Sequence, residues 1–408
     1  MVIPSWPTKK LGEVILKIGD GGTPSSKVEK YFNGDIPWVN IEDIEKEIFD
    51  TRRHLSGLGL RNSSAKLWPK NTIIFSFGAS IGKVGIARVP LSTKQGIAGI
   101  IPDSKIVNYK FLYYVLLKEA KKIKSIAQGM GSTLKEIRPS KLVNLVDVPL
   151  PPLPLQQKIV KILDTIQSAI EVQEKIIETT KELKRSVMAE IFSSKFKIQN
   201  SKLQFKIKKW EALGNLVEEK IDYGISKKGH RSGKYPILRM NNLEDGKINT
   251  QDLQFVDLTE EEFKKFRLNK DEVIFNRTNS IDLVGKTALF DLDGDFVFAS
   301  YLLRIRPKRD VILPEFLNYY FNFSRTQKEL KSLASRGASQ VNISAGRLAT
   351  FKIPIFSIPE QREIVEILQT IDQKIELEQK KKELYEELFR TMLHKIMSQE
   401  IDIDLLGY

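Results

Sequence analysis

The chain has 408 residues, 41% of them hydrophobic, and carries 65 Lys and Arg against 51 Asp and Glu for a net charge of +14. That length exceeds what one core usually organises, so two domains are expected, and the lack of cysteine excludes a disulfide framework, thiolate zinc sites and a cysteine nucleophile. The basic balance favours a polyanionic partner, because clustered Lys and Arg gain affinity by releasing counterions from phosphates, without identifying which polyanion.

The start, Met1-Val2-Ile3-Pro4-Ser5-Trp6, has no basic segment followed by an apolar stretch. No apolar run reaches the ~18 residues that span a bilayer, so a cytoplasmic protein with no membrane partner is expected.

From there on the chain repeats itself at about half its length, the mark of a duplicated domain. Lys10-Leu11-Gly12 and Ala212-Leu213-Gly214 each follow a tryptophan, Trp6 and Trp210. Ile36-Pro37-Trp38-Val39-Asn40 matches Tyr235-Pro236-Ile237-Leu238-Arg239, and Lys70-Asn71-Thr72-Ile73-Ile74-Phe75 matches Lys270-Asp271-Glu272-Val273-Ile274-Phe275, each a turn into a strand. Ser80-Ile81 through Val84-Gly85 then aligns without a gap on Ser280-Ile281 through Val284-Gly285. Phe111-Leu112 and Phe316-Leu317 each open a short amphipathic helix, and Thr133 with Ile137 pairs with Ser339 and Ile343.

Each half closes on its strongest match. Val148-Pro149-Leu150 through Pro154-Leu155-Gln156-Gln157-Lys158-Ile159-Val160 returns as Ile353-Pro354-Ile355 through Pro359-Glu360-Gln361-Arg362-Glu363-Ile364-Val365. Long helices follow, over roughly 154–192 and 359–397, with proline tolerated at their first turn. Their apolar residues, Ile159, Leu163, Ile166, Ile170 and Ile177 in one and Ile364, Leu368, Ile371 and Ile375 in the other, alternate steps of four and three like a coiled-coil seam. The two helices are expected to pair antiparallel within the chain. Gln173, Thr180, Glu378 and Lys382 make the seams polar, and Leu183, Val187, Leu384 and Leu388 are left for a protein partner.

This layout resembles the specificity subunit of type I restriction-modification systems over essentially the whole chain. Its marks are Pro151-Pro152-Leu153-Pro154-Leu155-Gln156-Gln157, Ile355-Phe356-Ser357-Ile358-Pro359-Glu360-Gln361-Arg362, Gly78-Ala79-Ser80-Ile81-Gly82-Lys83 and Phe275-Asn276-Arg277-Thr278-Asn279-Ser280. The second copy departs at Ser357-Ile358, where the first has Pro152-Leu153. The resemblance implies an α+β fold with two tandem target recognition domains related by pseudo-twofold symmetry and separated by two long antiparallel coiled-coil helices. Its segments would be 1–153 for the first recognition domain, 154–198 for the first spacer helix, 199–357 for the second domain and 358–408 for the second helix and tail. It further implies that each domain reads one half of a bipartite double-stranded DNA target, that the helices set the spacing and dock methylation subunits, two of them, and that the chain does no chemistry. Whether restriction subunits join them stays open.

Arg and Lys can hold guanine O6 and N7, Asn and Gln match adenine N6 and N7, and Gly and Ser allow close backbone approach. Loops mixing these types supply the DNA-binding candidates. The first copy offers Gly21, Gly22, Thr23, Pro24, Ser25, Ser80, Lys83, Lys94, Gln95, Thr133, Lys135 and Arg138. The second offers Lys227, Lys228, Arg231, Arg239, Asn276, Arg277, Asn279, Lys286, Arg336, Gln340 and Asn342. The run Lys118, Lys121, Lys122, Lys124 reads as a solvated helix face or phosphate contact, and Trp38 and Trp68 as core.

Enzyme signatures are missing. Gly78–Lys83 has one residue too few between its glycines for a phosphate-binding loop, and Val84 stands where a hydroxyl would hold magnesium. No Gly-x-Gly-x-x-Gly occurs, and the first region lacks an Asn-Pro-Pro-Tyr type motif of adenine methylation. His54, His230 and His394 lie far apart, and Asp291, Asp293 and Asp295 around Gly294 fit a hairpin turn better than a calcium loop, so no metal, cofactor or catalytic residue is expected. The rival reading is a coiled-coil scaffold or assembly protein whose basic domains bind RNA or protein without specificity.

Overall fold

The structure, a computed structural model, describes residues 6–78, 80–129, 138–193, 205–336 and 340–403. The chain divides into two compact units, residues 1–173 with 381–408, and residues 174–380. The division runs through both long helices, Leu153–Phe192 and Ile358–Met397, so each unit owns a half of each.

In the first unit the strands Ile15–Asp20, Ile97–Pro102, Ile73–Ser76, Val84–Ala87 and Glu47–Ile48 lie in that order in one sheet. A second sheet orders His54–Leu55, Phe32–Val39, Leu91–Thr93 and Leu67–Trp68. Runs such as Ile73-Ile74-Phe75 are buried on both faces, which explains their unbroken apolar character. The helix Tyr109–Gly129 covers the larger sheet through Phe111, Leu112, Tyr114 and Val115.

The second unit repeats the plan with Asp222–Tyr223, Leu302–Ile305, Glu272–Asn276 and Thr287–Phe290 in one sheet, and Gln254–Val256, Tyr235–Leu238 and Val297–Phe298 in another. Equivalent registers recur: Trp38 and Val39 run parallel to Ser92 and Thr93, as Ile237 and Leu238 do to Val297 and Phe298. The covering helix is broken here into Pro314–Asn322 and Ser324–Ser332, because Phe323 between them is extended.

One expectation needs correction. Phe75 faces Val84 across the first hairpin, but Phe275 faces Thr287 across the second. The left-handed turn glycines are therefore Gly82 and Gly285, and the loop before them runs over 77–81 in one copy and 277–284 in the other. The gapless alignment of Ser80–Gly85 with Ser280–Gly285 slips by three residues in this loop.

The repeated glutamines close each half. Gln156 is buried; its Oε1 accepts from Asn108 N at 2.8 Å, and its Nε2 donates to Ile106 O and Pro151 O at 3.2 and 2.9 Å. Gln361 does the same with Leu313 N, Val311 O and Phe356 O at 2.8, 2.9 and 3.0 Å. One side chain thus ties the start of a long helix to the loop that enters the covering helix, satisfying three backbone groups that would otherwise be buried without partners.

Within the first unit, Ile159, Ile162 and Leu163 of the first long helix share a core with Leu393, Ile396 and Met397 of the second. Within the second, Met188 and Ile191 share one with Ile364 and Leu368, and Lys184 Nζ meets Asp372 Oδ1 at 2.5 Å. N-terminal halves meet C-terminal ends, so the helices run antiparallel. The polar seam residues Gln173 and Glu378 are buried, and Leu183, Leu384 and Leu388 are exposed, but Val187 packs against the second unit's core. No helix among the described residues is long and apolar enough to cross a membrane.

Candidate nucleic-acid interface

In the second unit the fold gathers candidates that lie about sixty residues apart in sequence. Thr278-Asn279 pairs with Val341-Asn342, which in turn pairs with Ser335-Arg336, making a three-stranded ribbon beside the hairpin loop. Arg277 leads into it, with its backbone fixed by Arg277 N to Tyr301 O and Ile343 N to Arg277 O. The guanidinium lies 4.9 Å from the ring centre of Tyr223, and Nη1 reaches Ser300 O at 3.4 Å. Tyr223 is held in turn by accepting from Ala345 N at 3.0 Å.

Such a stack fixes a cation while leaving donors available. Arg277 Nε, Thr278 Oγ1 and Asn342 Oδ1 are buried without a hydrogen-bond partner among the described residues, so this part of the ribbon holds polar groups that its own packing does not satisfy. Asn279 donates to Met240 Sδ at 3.1 Å and its Oδ1 accepts from Ser280 N. Gln340 is exposed and Lys286 half-buried. Arg336 belongs to the ribbon by its backbone register.

Other candidates are scaffold. Asn276 is 0% exposed and donates to Leu283 O at 3.3 Å, closing its own hairpin loop. Arg239 is tied to Asp252 through both a carboxylate and a carbonyl oxygen, and Lys227 to Glu262 at 2.8 Å. Lys228 and Arg231 are exposed and lie apart from the ribbon in sequence and sheet.

In the first unit, Phe77 N and Gly78 N both donate to Gly96 O, which brings the loop carrying Ser80 against the turn carrying Lys94 and Gln95. Ser80, Lys94 and Gln95 are exposed, and Lys83 Nζ donates to Ile41 O at 2.8 Å. Asp20 Oδ1 accepts from Gly96 N at 2.9 Å and puts a carboxylate at this turn. Gly21 and Gly22 do not bring backbone to a ligand: Gly22 N donates to Thr93 O, and its carbonyl accepts from Trp38 Nε1. A Cβ on either glycine would fall within about 2.2 Å of neighbouring backbone, so both are glycine for close packing. Pro24 is buried, Thr23 and Ser25 are exposed, and Arg138 is exposed ahead of the helix Pro139–Leu145. Thr133, Lys135 and Ser339 lie outside the described residues.

Sequence reasoning passed over Tyr223 and Asp20, which occupy equivalent strand ends. A lone aromatic or carboxylate carries no readable pattern until the sheet sets it beside a loop. Gly78–Lys83 forms a strand-to-strand hairpin, so it lacks the helix N-terminus that a phosphate loop needs. Trp38 and Trp68 are core. Asp293 and Asp295 pair with Lys270 and Arg267, and the Asp50 carboxyl is held below its usual range by the Thr51 N–H and then by His54, which bonds it at 2.7 Å.

Comparison with known proteins agrees with this duplicated plan. The type I restriction enzyme MjaIX specificity subunit of Methanocaldococcus jannaschii is 29% identical over 67% of this chain, a match spanning 66% of that relative's own length. The MjaVIII specificity subunit of the same organism is 23% identical over 99% of this chain and 94% of its own. The crystal structure of the type I restriction-modification S subunit from M. genitalium shares the fold, with a TM-score of 0.55, 18% identity and 96% of each chain covered. The family described as the type I restriction modification DNA specificity domain matches residues 4–182 and again 207–387, and the chain belongs to that family, carrying its domain twice.

Proposed function

We propose that this chain chooses the DNA sequence for a type I restriction-modification complex. Residues 1–153 and 199–357 form two target recognition domains, each reading one half of a bipartite double-stranded site. The helical segments 154–198 and 358–408 set the distance between the half-sites and dock two methylation subunits. Flipping and methylating the target adenine is the partner's chemistry, and this chain contributes sequence choice alone.

The observation that carries this reading is a hydrogen-bond frame built twice with different side chains at its loop ends. Gly21 and Gly224 fill the same crevice against two consecutive carbonyls, Thr93 and Lys94 or Phe298 and Ala299. Yet the neighbouring positions carry Asp20 in one unit and Tyr223 in the other, and the loop begins with core Phe77 in one and Arg277 in the other. One frame with two chemistries suits one reader for each of two unlike half-sites.

The test is adenine-methylation sequencing of host DNA with the chain present and deleted. A split motif with a fixed gap, lost on deletion, is expected; methylation unchanged by the deletion refutes the proposal. Arg277→Ala should weaken one half-site by ~1–3 kcal/mol, as for a lost base contact, and leave the other half-site unchanged.

A further inference from the structure

The longer hairpin loop of the second unit carries two aliphatic side chains that the core does not take up. In the first unit, Ile81 packs against the core immediately before the turn glycine Gly82. In the second, that place before Gly285 is taken by Val284, which is fully buried. Ile281 and Leu283 are therefore surplus to the core, and they stand 49% and 41% exposed.

These side chains are not on a loose loop. Leu283 N and Val284 N both donate to Ser280 O, Asn276 Nδ2 donates to Leu283 O, and Lys331 Nζ donates to Asp282 O at 2.9 Å. A braced turn holding two aliphatic side chains in water is a rigid apolar tip, and rigidity lowers the entropy cost of binding. The tip grows from the same hairpin as Arg277 and Asn279 and ends three residues before Lys286. It carries one exposed carboxylate, Asp282, but Lys331 donates to the Asp282 carbonyl, so Arg277, Lys286 and Lys331 outnumber that anion and the setting is polar and net cationic. An apolar protein surface finds no complement in those flanks, whereas a polyanion does.

We propose that Ile281 and Leu283 read the 5-methyl group of thymine in the half-site bound by the second unit. The thymine methyl is the one apolar feature of a base-pair edge in the major groove, and aliphatic side chains are its natural contacts. Arg277 and the ribbon would then supply the polar contacts beside it. The first unit, with its shorter loop and its isoleucine turned into the core, lacks this device. The assignment rests on the DNA reading above.

The experiment uses the chain assembled with its methylation partner and duplexes carrying the motif found by methylation sequencing. Each thymine in turn is replaced by deoxyuridine, which removes only the methyl. Binding by the wild-type complex should fall about four-fold at one or two positions of a single half-site, the factor that burial of one such group supplies. The double variant Ile281→Ala with Leu283→Ala should bind thymine DNA more weakly and show no preference for thymine over deoxyuridine there. Its melting temperature should match wild type, since Val284 completes the core. Absence of any methyl-sensitive position, or a variant that keeps the preference, overturns the assignment while leaving the split motif in place. Loss of the split motif itself would overturn the DNA reading instead.

Discussion

The two units solve one packing problem in opposite ways. At a cross-strand position of the larger sheet the first unit pairs Gly19 with Gly99, and the second pairs Asp222 with Arg304. Trp68 lies on the pair: a Cβ at Gly99 would be 2.3 Å from its ring, and one at Gly19 would be 3.2 Å from the ring and 2.9 Å from Lys66 Nζ. In the second unit Leu268 replaces the tryptophan, and Arg304 fills the space. Its guanidinium lies 5.0 Å from the Phe298 ring and donates to Asp222 and to the carbonyls of Arg267 and Lys265. One unit buries a large aromatic surface, and the other buries a charge held by three acceptors through its two terminal nitrogens, with Nε left without a partner among the described residues. A duplicated frame tolerates either, provided that volume and hydrogen bonding are conserved together.

That comparison is most easily broken at the buried charge. Arg304→Ala should cost ~3–5 kcal/mol, because Asp222 and two backbone carbonyls lose a donor and the buried Glu272 loses a cation 3.9 Å away. Gly99→Ala should cost ~3 kcal/mol or more through the clash with Trp68, and adding Trp68→Leu, the second unit's own solution, should recover part of it. Thermal melts of the two single variants and the double variant decide this, and strictly additive losses would show that the tryptophan is not the reason for the glycine.

The glutamine clamps sharpen the comparison from the other side, since here the units agree. Gln156→Ala and Gln361→Ala each abandon one backbone N–H and two carbonyls. Each should cost about 2–4 kcal/mol, and by nearly equal amounts. A large inequality in denaturant titrations would mean that the shared frame is only apparent.

The duplication, the long helices and their antiparallel seam were legible because they rest on periodicity and on proline and glutamine at fixed spacing. The hairpin loops were not. Ser80-Ile81 and Ser280-Ile281 invite a gapless alignment, yet register is set by which residue reaches left-handed space, and Gly82 and Gly285 decide it. The candidate site was legible in type more than in place. Arg277, Asn279 and Asn342 meet because a ribbon joins them, whereas Asn276, one residue away from Arg277, faces inward by the alternation of the strand. Gly22 was misread because a glycine that lets protein backbone approach looks the same in sequence as one that lets a ligand approach.

The smallest expected difference lies where the covering helices meet the long ones. Tyr114 and Tyr319 are equivalent, and each donates to an aspartate on the following long helix: Asp164 at 2.6 Å in the first unit and Asp372 at 2.8 Å in the second. Asp164 also takes Lys110 at 2.8 Å and Lys46 at 3.1 Å, where Asp372 pairs with one lysine among the described residues, Lys184. Burial by itself would raise the Asp164 pKa, but the hydrogen bonds from Lys110 and Tyr114 and the charge of Lys46 outweigh it and hold the carboxyl below its usual range. A carboxyl depressed on folding stabilises the protein above its unfolded pKa of ~3.9, and that contribution is lost as pH falls through the folded value. Asp164→Asn should therefore cost about 2 kcal/mol near neutrality and progressively less below pH ~4, where the unfolded chain's carboxyl protonates before the depressed folded one does. Asp372→Asn, with fewer partners to strand, should cost about 1 kcal/mol. Melting curves from pH 3 to pH 7 would separate the two variants, and a difference between wild type and Asp164→Asn that stays constant across that range would remove the ionised cluster as the source of the stability.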